Sequence, residues 1–275
     1  MKTVYVSDLD GTLFNSEKRI TKFTADIINK FIDQGGLFAI STARMTYGCD
    51  QKLVALNLNI PCIVMNGACI YSFNEKKYID VKTIGTEKVK EIEAILDEED
   101  CNAFMYTYDK NALSIYYKTE AESKDVQYLS RRAQEECREI KKVDSFARTA
   151  KNRQVVYFAL TGNKSKIQHV YNRVSRVQAI ESVMYLNIYN GRHCLEIFDA
   201  KANKAHALMN LRQMLKPDEI VAFGNKPSDI EMMKAADFCF APENAVNEVK
   251  RIANRIIESC DNDGVAKYLK QKYEL

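Results

Sequence analysis

Proline and glycine are scarce, at 4 and 10 of 275 residues, which excludes a collagen-like, proline-rich or low-complexity chain. Long apolar runs are missing as well. Stretches such as Ile60 to Met65 match a single strand and fall far short of the ~20 residues needed to cross a bilayer. The opening Thr3, Val4, Tyr5 and Val6 give way at once to Ser7 and Asp8, so no signal-peptide apolar region develops; a cytoplasmic location without a membrane partner is expected. Neither sign of charge dominates, since 40 Lys plus Arg against 37 Asp plus Glu leave +3, a balance that requires no nucleic acid or other polyanion. The 8 cysteines include no C-x-x-C pair and the 3 histidines, His169, His193 and His206, are scattered, which indicates neither a zinc site nor a disulfide-stapled secreted domain. Reduced thiols packed as small hydrophobes are expected instead. What is present is an ordinary globular composition, 46% hydrophobic and 28% charged, long enough for one large domain or two of moderate size.

The first third alternates strand and helix. Thr3 to Ser7 reads as a strand, and Thr21 as the cap of a helix whose apolar positions Phe23, Ile27 and Phe31 recur every four residues before Gly35 and Gly36. Leu37 to Ser41 is a second strand, Cys49 to Leu58 a second helix, and Pro61 introduces a third strand, Cys62 to Met65. Short apolar strands separated by helices predict a parallel sheet covered on both faces. After Asn66-Gly67 the rhythm changes, with a hairpin from Cys69 to Phe73 and Tyr78 to Val81. The segment from about Gly85 to Gly191 predicts an α+β unit. It contains a helix bearing Val89, Ile92, Ile95 and Leu96, strands around Asp109 and Asn111, a charged helix near Lys124 to Cys137, a strand Val155 to Thr161 and a helix from Lys164. Asn190-Gly191 between Val183 to Tyr189 and Cys194 to Phe198 is a short hairpin signal. From Lys201 the α/β pattern resumes, so the division predicted is a core of residues 1–83 and 192–275 with residues 84–191 inserted.

Asp8-Leu9-Asp10-Gly11-Thr12-Leu13 stands where the first parallel strand should end, and ligand sites in open α/β sheets lie outside those carboxyl ends. Carboxylates at i and i+2 are held close together there. Their repulsion favours a bound cation or a raised pKa on one of them, and either suits hydrolysis. The plainer alternative is that both only cap a turn before Gly11. This motif resembles the first motif of the haloacid dehalogenase-like (HAD) superfamily, and the insertion resembles that of its Cof-type phosphatases, which have a Rossmannoid core and an inserted α+β cap. The resemblance implies that Asp8 is the nucleophile that becomes aspartyl-phosphate and Asp10 the general acid/base. It also implies Mg2+ to offset the charges of carboxylate and phosphate.

The other motifs of the resemblance can be followed along the chain. Ser41-Thr42-Ala43-Arg44 is similar to the family's Thr-Gly-Arg, which makes Thr42 a phosphate binder and Arg44 an auxiliary, with Ala43 in place of Gly. Read without the family, Thr42 is equally an N-cap of the following helix. Asn66-Gly67 fits as a substrate-side turn or as a plain tight turn. Lys204 matches the lysine that opens the first helix after the cap and stabilises phosphoryl charge, with Lys201 as its competitor. The fourth motif departs from the pattern Gly-Asp-x-x-Asn-Asp: here Gly224-Asn225-Lys226-Pro227-Ser228-Asp229 puts Asn225 at the first Asp and Ser228 at the Asn. An amide oxygen still coordinates a hard cation but brings no charge, so metal affinity should fall while geometry survives. The implied metal set is Asp8, the Asp10 carbonyl and Asn225, with Asp229 acting through water or as an orienting carboxylate.

The expectation is therefore a Mg2+-dependent phosphatase of a small phosphorylated metabolite, with no nucleic-acid partner and no signal in the sequence of its oligomeric state. The alternatives are a phosphometabolite-binding regulator with a weakened fourth motif and a phosphotransferase of the phosphomutase kind. Tyr106, Tyr108, Tyr116 and Tyr117 make the inserted strands aromatic, either to pack that small sheet or to meet substrate.

Overall fold

The computed structural model describes residues 1–119, 137–186 and 191–275. Within it the chain forms two compact units, one of Met1–Asp80 with Asn203–Leu275 and one of Val81–Ala202. In chain order the first segment carries β1 (Thr3–Asp8), α1 (Lys22–Asp33), β2 (Leu37–Ser41), a short α2 (Asp50–Leu53), β3 (Cys62–Val64), β4 (Cys69–Ser72) and β5 (Lys77–Val81). The inserted segment carries α3 (Thr86–Glu98), β6 (Phe104–Asp109), β7 (Ala112–Tyr117), β8 (Ile140–Lys142), α4 (Phe146–Ala150), β9 (Gln154–Gly162), α5 (Lys164–Val174), β10 (Ile180–Leu186) and β11 (His193–Asp199). The chain then returns through α6 (Lys204–Leu215), β12 (Glu219–Phe223), α7 (Ile230–Ala235), β13 (Phe238–Pro242), α8 (Asn247–Ile252), β14 (Arg255–Ile257) and α9 (Gly264–Tyr273).

The first unit is built on a sheet of order β14-β13-β12-β1-β2-β3-β4-β5, parallel from β14 to β3, with β4 antiparallel to β3. Its central strands read as near-continuous apolar runs because both faces are covered: Val4, Tyr5, Val6, Phe38, Ile40, Ile220 and Phe223 are all buried. α1 forms where the sequence places it. Thr21 Oγ1 accepts the Thr24 N–H at 3.0 Å, and Ala25, Ile27, Ile28 and Phe31 bury the inner face. The second helix is shorter than the Cys49 to Leu58 expected. It stops at Leu53 because Asn29 on α1 claims the next backbone groups, donating from Nδ2 to Ala55 O and accepting the Asn57 N–H, both at 2.8 Å.

The second unit has the sheet order β10-β11-β9-β6-β7-β8, mostly antiparallel. One face packs Met105, Tyr116, Phe158, Leu195 and Ile197 beneath the apolar sides of α3, α4 and α5. The opposite face carries a cross-strand row of rings: Tyr106 on Tyr157 at 4.4 Å and Tyr157 on Phe198 at 5.3 Å, both stacked. The boundary expected between 191 and 192 lies later. β11 pairs along its whole length with β9 and β10, so it completes this sheet and the chain leaves the unit only after Ala202. Of the charged helix expected at 124–137, residues 124–136 lie outside the described residues, as do residues 187–190 of the hairpin signal. Among the described residues no helix is long and apolar enough to cross a membrane.

Candidate active site

From β1 the chain runs outward through β2 and β3 on one side and returns through β12 and β13 on the other, so the strand order reverses beside β1. Crevices form outside strand carboxyl ends at such a reversal. The register brings three of those ends level: Asp8 opposite Ser41, and Ser7 opposite Phe223. Asp8-Leu9-Asp10-Gly11 turns there, with Phe14 N–H on Leu9 O at 2.8 Å, and Gly11 takes φ +88. Glycine is required twice over, since a Cβ on Gly11 would stand 2.4 Å from Asn225 Nδ2. Gly67, at φ +95, is still tighter, because its Cβ would meet the Asn203 carbonyl carbon at 2.2 Å and the Lys204 nitrogen at 2.7 Å.

The centre of the cluster is an ion pair out of water. Lys204 Nζ donates to Asp8 Oδ1 at 2.7 Å, to Asp229 Oδ1 at 2.7 Å and to Ser41 O at 3.2 Å, and Lys204 is 3% exposed. Lys204 is thereby the residue that sits in the site, whereas Lys201 is exposed, with its backbone N–H on Asp199. Burial would lower the Lys204 pKa, but the charges of Asp8 and Asp229 outweigh it and raise it. Burial pushes the Asp8 carboxyl up to about 6, Lys204 opposes that rise, and Asp229 adds to it. Asp8 Oδ2 is buried and has no hydrogen-bond partner among the described residues.

Asp10 lies 34 residues from Arg44 in sequence and is clamped by it, with Nε on Oδ2 at 2.7 Å and an Nη on Oδ1 at 2.6 Å. Burial raises the Asp10 pKa, yet the Arg44 hydrogen bonds and charge win and hold the carboxyl below the usual carboxylate range. Arg44, expected as a phosphate auxiliary, is thus committed to the second carboxylate, and its guanidinium lies over the Phe14 ring at 5.8 Å. Thr42 does not cap a helix. Its Oγ1 accepts the Arg44 N–H at 3.2 Å, its carbonyl accepts the Asn66 N–H at 3.0 Å, and it is 1% exposed. Ala43 between them is exposed. Asn66 takes φ 54, so the Asn66-Gly67 turn acts here as a backbone brace under Thr42.

Asn225 Oδ1 accepts the Thr12 hydroxyl at 3.1 Å, which leaves one lone pair of that oxygen. Asp229 is fully buried and its two oxygens are engaged: Oδ1 by Lys204, Oδ2 by the Asn225 and Lys226 N–H groups at 3.0 Å each. Of the two roles expected for Asp229, orienting the turn and the lysine is the one its contacts support. Among the described residues no cluster of three His, Cys, Asp or Glu has metal-holding geometry, so a cation here would rest on mixed oxygens. The chemistry of the donors, a buried Asp8 Oδ2 without a partner among the described residues and the amide oxygen of Asn225, fits a hard, oxygen-seeking ion. One neighbour escaped the sequence reading. Lys226 acts electrostatically on both Asp8 and Asp10, and its only sequence signal is its place between two motif residues.

A sequence model of the haloacid dehalogenase-like hydrolases matches residues 5–269. The chain belongs to that family. It is thus a hydrolase by family, and the relatives named next are phosphatases. It is 26% identical over 289 residues to the 5-amino-6-(5-phospho-D-ribitylamino)uracil phosphatase YwtE of Bacillus subtilis, covering 98% of each chain. It is 25% identical to the pyridoxal phosphate phosphatase YbhA of Escherichia coli, covering 97% of each. Among solved structures, one from Thermotoga maritima superposes with a TM-score of 0.77 at 21% identity, over 98% of this chain and 97% of that one.

Proposed function

We propose that this hydrolase cleaves a small phosphomonoester, a sugar phosphate or similar metabolite, in the cytoplasm, through an aspartyl-phosphate on Asp8 and with Mg2+. The observation that carries the reading is the asymmetry of Asp8: one oxygen is fixed on Lys204 and the other is buried without a partner at a strand end. A buried, oriented, unsolvated carboxylate oxygen is what attack on phosphorus needs. Asp8, the Asp10 carbonyl and Asn225 would hold the metal, which when bound offsets the charge between carboxylate and ester. Asp10 protonates the leaving oxygen and then, ionised again, takes a proton from the water that opens the acyl phosphate. Its pairing with Arg44 favours the ionised form, the one needed in the second step.

Lys204 and Thr42 stabilise the phosphoryl oxygens, and Asn66 and Gly67 brace the substrate side. The inserted unit acts as the cap that selects the leaving group, as insertions do in the resembling phosphatases. The substrate class is supported by the relatives, whose names are those of phosphatases of small phosphorylated metabolites.

Phosphate release from a panel of phosphomonoesters, measured with and without Mg2+, tests the reading. Asp8→Asn should lose at least about a thousandfold in kcat. Equal turnover by wild type and Asp8→Asn removes the mechanism. Ligand-induced thermal shifts without any release by the wild type would instead favour the regulatory binding protein, the reading that Asn225 keeps alive.

A further inference from the structure

Three cations stand around the strand-end cluster, and two of them are paired with buried or half-buried carboxylates. Lys204 bridges Asp8 and Asp229, and Arg44 closes a two-pronged pair on Asp10. Lys226 differs from both. Its backbone N–H is anchored at 3.0 Å on Asp229 Oδ2, which fixes the root of the side chain beside the site. The side chain itself is exposed, and among the described residues its ammonium has no ion-pair partner. The Asp229 carboxylate that holds this root accepts Lys204 Nζ on its other oxygen, which ties the turn to the Asp8 cluster. The preceding residue, Asn225, is neutral at a position where the resembling motif is acidic. The turn after β12 therefore lacks one negative charge and presents one uncompensated positive charge.

An incoming phosphoryl anion must have its charge offset next to the ionised carboxylates. A lysine on a four-carbon stem supplies three donors that follow a moving anion, and its charge is not already neutralised by a carboxylate. We propose that Lys226 is a phosphate-binding residue, and that the Asn225-Lys226 pair transfers part of the charge neutralisation from a divalent cation to an ammonium. The site then holds a phosphoryl anion in the absence of metal. This inference rests on the phosphatase reading above for the identity of the anion, but it fails or stands by a separate measurement.

That measurement is calorimetric titration of the full chain with inorganic phosphate in excess EDTA. Wild type and Lys226→Arg bind phosphate there, whereas Lys226→Ala binds about tenfold more weakly or not at all. Affinity also falls less steeply with added salt in Lys226→Ala. The unfolding midpoints of all three proteins agree, because the side chain is exposed. Equal affinity of wild type and Lys226→Ala in EDTA overturns the proposal, as does phosphate binding by the wild type that appears only when Mg2+ is added. Either result leaves the phosphatase reading standing on Asp8→Asn. Conversely, metal-free binding that depends on Lys226, together with full turnover by Asp8→Asn, keeps the anion site and removes the covalent chemistry.

Discussion

Each of the two units buries a carboxylate, and they treat it in opposite ways. In the second unit Glu93 on α3 accepts the Phe146 and Ala147 N–H groups at 2.8 Å each, the Ser145 hydroxyl at 2.9 Å and Lys118 Nζ at 3.1 Å. Both oxygens are satisfied, the N–H groups that the start of α4 leaves without a helical partner are capped, and the carboxyl is held below its usual range despite its burial. In the first unit Asp8 has one oxygen on Lys204 and one without a partner among the described residues, and burial leaves its pKa raised to about 6. A polar group that is buried and fully bonded stabilises a fold; one that is buried and half-bonded costs stability and is kept for another reason. The contrast sets a carboxylate bonded on both oxygens against the one proposed as nucleophile, which is bonded on one, without appeal to any motif.

The sharpest way to break this contrast is to remove the cation that makes the Asp8 cluster tolerable. Lys204→Met leaves Asp8 and Asp229 facing each other in the interior and should cost about 3 to 5 kcal/mol in denaturant unfolding. Asp8→Asn, which removes a buried charge but keeps an acceptor for Lys204, should leave the unfolding midpoint unchanged or raised. A large loss of stability in Asp8→Asn would mean that Asp8 is architectural after all. Next in size, Glu93→Ala strands the buried Phe146 N–H and should destabilise the inserted unit by about 2 to 3 kcal/mol, read by circular dichroism on melting. Because the folded pKa of Glu93 is depressed, its contribution is present above the unfolded carboxylate value and is lost as pH falls through the folded one.

The smallest effect comes from a third carboxylate, which sharpens the comparison. Glu196 on β11 accepts a hydrogen bond from the Tyr185 hydroxyl at 3.1 Å, and burial pushes it up to about 7. Here the sign reverses. The folded chain keeps a proton that the unfolded chain has lost, so stability declines as pH rises from the unfolded value toward 7. Glu196→Gln should flatten that decline in melting midpoints measured from pH 5 to 8. An unchanged slope would mean that Glu196 is ionised and solvated in the folded protein.

What the sequence made legible follows distance along the chain. The Thr21 cap, the apolar strands and the Asp8 turn are short-range patterns, and the structure contains each of them. Arg44 as the clamp on Asp10 was not legible, because nothing local ties residues 34 apart in sequence. The Glu93 cap of α4 spans more than 50 positions and was hidden for the same reason. The end of α2 at Leu53 depends on one amide from another helix. The hairpin signal at Asn190-Gly191 is flanked by the antiparallel strands β10 and β11, but it could not say that β11 would also pair with β9. Lys226 was missed because an exposed lysine in a loop is, by base expectation, a solvated one.

Gly67 carries one consequence beyond the site it braces. The chain returning from the insertion touches down at Asn203 against a backbone that has no methyl group to spare, and Lys204 follows directly. The landing point is therefore set by the first unit alone. Everything from residue 81 to residue 202 can be lengthened, shortened or rebuilt between those moorings while the ammonium stays where it is.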